Sequence, residues 1–232
     1  MKIEAIFFDF DGVIADTETV WMNCACDYCK DRGNLSDREI LFSFAGDGDV
    51  ELLRYLSEGG TFGQEEILTE IKGRFERASG KISIRPGIEE YLRFAREQNL
   101  KLALVSNSGQ DYIDRWLERL GLQERFDCVV TRSVDIPMKP APDLYLLALS
   151  RLGVRPEKTV AFEDSVLGMR AARAAGLRAV AYPNEVTEKE IHAQGFFCTD
   201  LGTIAPKELL TQIEKVYDLE ESKDGVYLFA ED

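Results

Sequence analysis

Five short apolar runs constrain this chain more than any other feature: Ile6-Phe7-Phe8, Leu102-Ala103-Leu104-Val105, Cys128-Val129-Val130, Val160-Ala161-Phe162 and Ala179-Val180-Ala181-Tyr182. Each has the length of a strand and is apolar throughout rather than alternating, the pattern of a strand buried on both faces. From the second run onward, amphipathic stretches separate them. Residues 110–121 carry Ile113, Trp116, Leu117 and Leu120 at helical spacing and stop at Gly121. Residues 142–153 carry Leu144, Leu147, Ala148 and Leu152 and stop at Gly153, and the Ala-rich 165–176 stops at Gly176. Strand–helix alternation of this kind predicts a doubly wound α/β core, a parallel sheet with helices on both faces.

The first connection breaks the rule. Between Asp9 and the second run lies a long stretch with helical patterning and no good strand. A compact sheet does not need so long a crossover, which predicts an inserted helical unit. Its helices are expected near 17–32, 36–44, 47–57 and 64–79, punctuated by Gly46, Gly48, Gly59, Gly60, Gly63 and Gly80. The crossings fall near Ala15-Asp16-Thr17 and Ile84-Arg85-Pro86-Gly87. The expected organisation is a Rossmann-like core of residues 1–15 and 86–232 with an α-helical cap of residues 16–85. Beyond residue 183 the pattern predicts a helix near 187–193, a short strand near 196–198 and a helix near 206–217. A polar tail follows from Glu220, and the sequence leaves open whether Val226-Tyr227-Leu228-Phe229 packs back.

Lys and Arg number 28 and Asp and Glu 42, a net charge of −14, while hydrophobic residues make up 45%. The apolar fraction supports a sizeable core. The negative balance argues against nucleic acid or an anionic membrane as a partner, because both need a positive field. The opening residues read as no secretory signal, and no stretch approaches the roughly 18 apolar residues of a membrane span. Five cysteines fit a reducing cytoplasm. The Cys24, Cys26 and Cys29 cluster lacks a second cluster nearby and reads as structural thiols.

Polar residues sit at the ends of the apolar runs. The first ends in Asp9-Phe10-Asp11-Gly12-Val13, the second in Ser106-Asn107-Ser108, the fourth in Glu163-Asp164-Ser165; Lys139 follows the third in Met138-Lys139-Pro140-Ala141-Pro142-Asp143. In a parallel sheet these ends share one edge, outside which ligands bind. Taken singly, each segment also reads as a turn, a helix cap or a solvated loop. Taken together they assemble a site. Clustered carboxylates repel unless a cation lies among them, and few anionic oxygens suit Mg²⁺. A carboxylate beside that cation can attack phosphorus. The second acid of the Asp-x-Asp pair can serve the leaving group and then water. Lys139 neutralises charge, and the Ser106 hydroxyl with nearby backbone N–H groups holds phosphate oxygens.

These four segments, in this order, resemble the haloacid dehalogenase superfamily, in the subgroup of β-phosphoglucomutase-like proteins and sugar-phosphate phosphatases. The resemblance spans residues 3 to about 183. It implies Asp9 as nucleophile, Asp11 as general acid/base and Lys139 as the third catalytic residue. It implies phosphate binding by Gly12, Ser106, Asn107 and Lys139. It places Mg²⁺ at Asp9, the Asp11 backbone carbonyl and Asp164, with Glu163 assisting, and it implies a mobile helical cap. Dehalogenases of the superfamily lack the second aspartate of the first motif; Asp11 is present here, which favours phosphate chemistry.

The β-phosphoglucomutases carry a His in the first cap helix and a basic residue in the cap loop. Here the first position is Trp21, and the loop 44–50 holds Asp47 and Asp49 with no base. The chain's single His, His192, falls on a polar helix outside the cap. These departures favour a phosphatase of a small phosphorylated metabolite, a sugar or polyol phosphate, over a phosphomutase. A non-catalytic binding protein on the same fold is the third reading. Trp21, Asp47 and Asp49 are the candidate substrate contacts, each with a bland alternative as core or loop residue. Lys81 and Arg85 read as hinge residues facing solvent. A monomer is the usual state for this build.

Overall fold

The computed structural model describes residues 2–33, 36–45, 49–58 and 62–220. Asp47, the loop glycines 46, 48, 59 and 60, and the tail from 221 lie outside the described residues.

Five strands form one parallel sheet: β1 (Ala5–Phe8), β2 (Lys101–Gly109), β3 (Cys128–Arg132), β4 (Thr159–Glu163) and β5 (Arg178–Ala181), in the order β3-β2-β1-β4-β5. Ala5 of the central β1 pairs with Lys101 on one side and Thr159 on the other. Side-chain alternation along each strand then splits the core in two. Ile6, Phe8, Leu102, Leu104, Phe162 and Val180 face a layer of α5 (Ile88–Glu97), α6 (Gln110–Leu120) and α10 (Pro206–Glu220). The other face is largely alanine: Ala5, Ala103, Ala161, Ala179 and Ala181. These short side chains let α7 (Asp143–Leu152) and α8 (Val166–Ala174) lie close against the sheet, with α9 (Glu188–Ala193) beside them. The α/β fold is therefore the doubly wound one that the alternation predicts. Gly121 and Gly153 close α6 and α7 in the left-handed conformation, at φ 68° and 65°.

The insertion holds α1 (Thr17–Asp31), α2 (Arg38–Phe42), α3 (Asp49–Ser57) and α4 (Gln64–Ser79). These helices bury an apolar cluster of their own, including Met22, Leu41, Leu52, Ile67 and Ile71. Cys24 and Cys29 are buried, and no disulfide links any of the five cysteines. Burial raises the thiols of Cys24, Cys26 and Cys29 above the ordinary cysteine value, as structural thiols require. No helix among the described residues is long and apolar enough to cross a membrane.

Several details depart from expectation. Asp37 caps α2, accepting from the Glu39 N–H at 2.9 Å, so that helix is shorter than the 36–44 expected. Helix α5 was not anticipated, although Ile88, Tyr91, Leu92 and Ala95 have helical spacing and are all buried. In place of a strand at 196–198 there is a single bridge between Cys198 and Ala181. Strand β2 runs on through Ser106-Asn107-Ser108 to Gly109, where the polar composition reads as a loop and helix cap.

The two crossings into the insertion are tied to each other. Ala15 and Ile84 form an antiparallel bridge, and the Arg85 N–H donates to the Ile14 carbonyl at 2.8 Å. Lys81 is exposed as expected, but Arg85 is not a solvated hinge residue. Its guanidinium donates to the carbonyls of Gly12, Tyr182 (3.0 Å) and Pro183 (2.7 Å) and lies over the Tyr182 ring at 3.6 Å. Peptide oxygens that would otherwise be orphaned at the crossing attract the guanidinium inward.

Candidate active site

The C-terminal ends of β1, β2 and β4 and the loop after β3 bring Asp9, Ser106, Lys139, Glu163 and Asp164 to one edge of the sheet, all of them buried. The Asp9 N–H donates to the Phe162 carbonyl at 3.0 Å, continuing the ladder and setting the nucleophile candidate beside Glu163. Lys139 is 6% exposed, which excludes a solvated loop lysine. Its Nζ donates to Asp9 Oδ1 (2.6 Å), Glu163 Oε1 (2.6 Å) and the Val105 carbonyl (2.7 Å), using all three protons. Burial opposes the charge on Lys139, but the two carboxylates outweigh it and hold the ammonium above the ordinary lysine value. Burial, helped by Glu163 and Asp11 and opposed by Lys139, pushes Asp9 up to about 8.

Ligand atoms of Asp9, Glu163 and Asp164 lie within 4.8 Å of one another. This is the acidic group among the described residues that could hold a metal. Burial, then the charges of Asp9 and Glu163, raises Asp164 well above the usual carboxylate value. One oxygen of Glu163 is buried without a hydrogen-bond partner. Three buried acids, one lysine and an orphaned oxygen form a donor set that fits a hard cation. Two glycines make room for it. A Cβ on Gly12, at φ 80°, would stand 1.8 Å from Asp164 Oδ2, and one on Gly168 would stand 1.9 Å from Glu163 Oε2. Asn184, which sequence reasoning missed, donates to Asp164 Oδ2 at 2.8 Å, while its Oδ1 accepts from the Val186 and Thr187 N–H groups.

Asp11 faces a different environment. Its carboxylate accepts from the hydroxyls of Thr17 (2.7 Å), Ser108 (2.6 Å) and Tyr112 (3.0 Å). Burial and the neighbouring Asp11 charge keep the Tyr112 phenol protonated far above its ordinary range, so it acts as a donor. Of the expected phosphate contacts, Ser106 lines the cavity with its Oγ accepting from the Ser108 N–H at 3.0 Å. Two others are committed internally. The Gly12 N–H donates to the Ala15 carbonyl at 2.8 Å. The Asn107 side chain binds the Lys139 backbone, accepting at 2.9 Å and donating at 3.2 Å. Both thus shape the site, Gly12 by admitting Asp164 and Asn107 by anchoring the lysine loop.

Above this edge lies a cavity of about 950 Å³, walled by the sheet edge, α6 and the inserted helices. Trp21 and Asp49 both line it. Trp21 also packs edge-on against Phe75 at 5.7 Å, so it serves as cap packing and as cavity wall. Burial raises the Asp49 carboxyl, with Lys72 and the Trp21 indole opposing. His192 is exposed and paired with Glu188 at 3.8 Å, away from the cavity.

Tyr145, on the first turn of α7, is a further residue that sequence reasoning missed. Its buried hydroxyl donates to Glu163 Oε1, the oxygen that Lys139 also holds. Tyr145→Phe is expected to lower unfolding free energy by about 1–2 kcal/mol, the usual effect of stripping one donor from a buried charged acceptor. Urea denaturation measures this, and an unchanged midpoint would assign the Glu163 orientation to Lys139 alone.

Comparison with known proteins places this geometry. The chain matches the haloacid dehalogenase-like hydrolase family over residues 6–182. It is 36% identical to YhcW of Bacillus subtilis over 188 residues, covering 80% of this chain and 86% of that one. It is 32% identical over 183 residues to the phosphorylated carbohydrates phosphatase of Thermotoga maritima, covering 77% and 84%. The structure of CbbY from Rhodobacter sphaeroides in complex with xylulose-1,5-bisphosphate superposes with a TM-score of 0.67 at 28% identity, covering 87% and 96%. The chain belongs to the haloacid dehalogenase-like hydrolase family and stands among that family's phosphatases.

Proposed function

We propose that this protein is a Mg²⁺-dependent phosphatase of small sugar or polyol phosphates that works through an aspartyl-phosphate on Asp9. The carrying observation is the division between two acids. Asp9 is locked into a buried cluster with Lys139, whereas Asp11 is held by three hydroxyls at the cavity floor. In this reading Asp9 attacks phosphorus and the ester P–O bond breaks. Asp11 delivers a proton to the departing oxygen. Asp11 then takes a proton from water, which attacks the phosphoryl group, releasing orthophosphate and regenerating Asp9. Ser106 offers its hydroxyl to the phosphoryl oxygens, and the Lys139 charge, held beside Asp9, offsets the negative charge that gathers there. Mg²⁺, when held by Asp9, Glu163 and Asp164, supplies positive charge between nucleophile and phosphate.

Residues 16–85 act as the cap that encloses the leaving group. The substrate class is supported by the cavity volume and by the named activity of the Thermotoga relative. The unbridged thiols suit a reducing cytoplasm. A monomer suffices, since every proposed site residue comes from this chain.

The test is orthophosphate release from a panel of hexose, pentose and hexitol phosphates. Release with Mg²⁺ is expected to fall at least ~100-fold after EDTA and to return on adding Mg²⁺. No release from any ester overturns the proposal. Conversion of a hexose 1-phosphate to the 6-phosphate without release would make the protein a mutase.

A further inference from the structure

Besides Lys139, four cationic side chains reach the cavity wall of this strongly acidic chain: Lys72, Arg115, Arg119 and Arg132. Two are committed. Arg119 donates to the Ser79 carbonyl and hydroxyl and lies over the Trp116 ring at 4.7 Å, joining α6 to the end of the inserted helices. Lys72 faces Asp49. Arg115 and Arg132 are exposed to the cavity and have no carboxylate, carbonyl or ring partner among the described residues.

Their placement is specific. Arg132 ends β3, and its Nη2 comes within 3.9 Å of where a side chain on Gly109 would begin. Gly109 directly follows Ser108, whose hydroxyl binds Asp11. Arg115 lies about one turn along α6 from Tyr112, whose hydroxyl binds the same carboxylate. Both guanidiniums therefore flank the Asp11 side of the cavity. The acid that protonates a leaving oxygen must face the leaving group, so this is the leaving-group side. The Asp11 carboxylate accepts from three hydroxyls and makes no ion pair with either arginine. Unpaired guanidinium forks match the geometry of phosphate and carboxylate oxygens.

We propose that Arg115 and Arg132 form a subsite for a second anionic group, a phosphate or carboxylate carried on the leaving-group half of the substrate. The preferred substrates are then doubly anionic esters. This deepens the phosphatase reading above and rests on it. It also moves recognition of the distal charge to the core, through α6 and β3, since the cap loop expected at 44–50 carries no base.

The experiment compares kcat/KM for a hexose bisphosphate, a phosphorylated sugar acid and a hexose monophosphate. It uses the wild type, Arg115→Ala, Arg132→Ala, the double variant and Arg132→Lys. The wild type is expected to favour at least one doubly anionic ester by ~10-fold or more, with the advantage shrinking as salt rises. The double variant is expected to erase that advantage through KM, with Arg132→Lys retaining part of it. Which doubly anionic ester is favoured tells whether the second group is phosphate or carboxylate. Equal use of the hexose monophosphate by the wild type overturns the subsite. So does a preference that survives in the double variant. Failure to release phosphate even from p-nitrophenyl phosphate overturns the phosphatase reading itself, a result separate from the loss of preference.

Discussion

Asp9→Asn is expected to lose phosphatase activity by roughly 10⁴-fold or more while remaining folded. An amide cannot supply the anionic oxygen that attacks phosphorus, so the covalent route closes. The fold has no reason to follow. Asn is isosteric with Asp, and its carbonyl can still accept from Lys139 Nζ, 2.6 Å away in the native cluster. Burial already pushes the Asp9 carboxyl up to about 8, a sign that its charge is costly where it sits. Removing one of three crowded carboxylates should leave the metal-free protein as stable as the wild type, or more so. Steady-state phosphate release and thermal melting of the same preparation read the two effects. Activity above about 1% of wild type would exclude Asp9 as the nucleophile. A large drop in melting temperature would show that Asp9 serves the fold as well as the reaction.

Lys139→Met carries the opposite signature, a loss of both activity and stability. The ammonium satisfies two carboxylates and one carbonyl at 2.6–2.7 Å with its side chain 4% exposed. Removing one partner of a buried ion pair leaves uncompensated charge, and such changes cost about 3–5 kcal/mol. Proton uptake by Asp9 or Glu163 limits the loss, since each pK unit is worth about 1.4 kcal/mol. A cation bound among the same acids replaces part of what the lysine supplied. The variant should therefore regain more stability from millimolar Mg²⁺ than the wild type does. Denaturant midpoints with and without Mg²⁺ check this. A variant within about 1 kcal/mol of wild type in metal-free buffer would show that the acids do not depend on Lys139.

The positions of Asp9, Lys139, Glu163 and Asp164 were legible in the sequence for a physical reason. Parallel strands fix which end of each apolar run faces the ligand, so residue type and order suffice to place them. The partners that orient them were not legible. Tyr145 meets Glu163, Asn184 meets Asp164, and Tyr112 meets Asp11 only after the chain has folded. Contacts between distant segments leave no spacing signal in any one of them. Arg85 shows the same limit, because an arginine beside Pro-Gly reads as a surface residue until three carbonyls are seen to converge on it. Helix α5 is a different case, since the spacing of Ile88, Tyr91, Leu92 and Ala95 is itself a helical signal, local to the sequence. Ser106-Asn107-Ser108 reads as a loop and helix cap, yet pairing of β2 with β3 resumes at Gly109 and Arg132 after a register shift.

The central position of β1 has a temporal consequence. The strand that leads into Asp9 is synthesised before the other four, but its partners are β2 and β4, with Ala5 paired to Lys101 and Thr159. Until the segment through Glu163 has been synthesised, Phe7 and Phe8 can pair on the β2 side alone, while the helices of residues 17–79 can already collapse on one another. Such high contact order makes docking of β1 a slow and late event in folding. Closing the sheet and assembling the acidic cluster are then one step, so a nascent chain that stops short of β4 has neither.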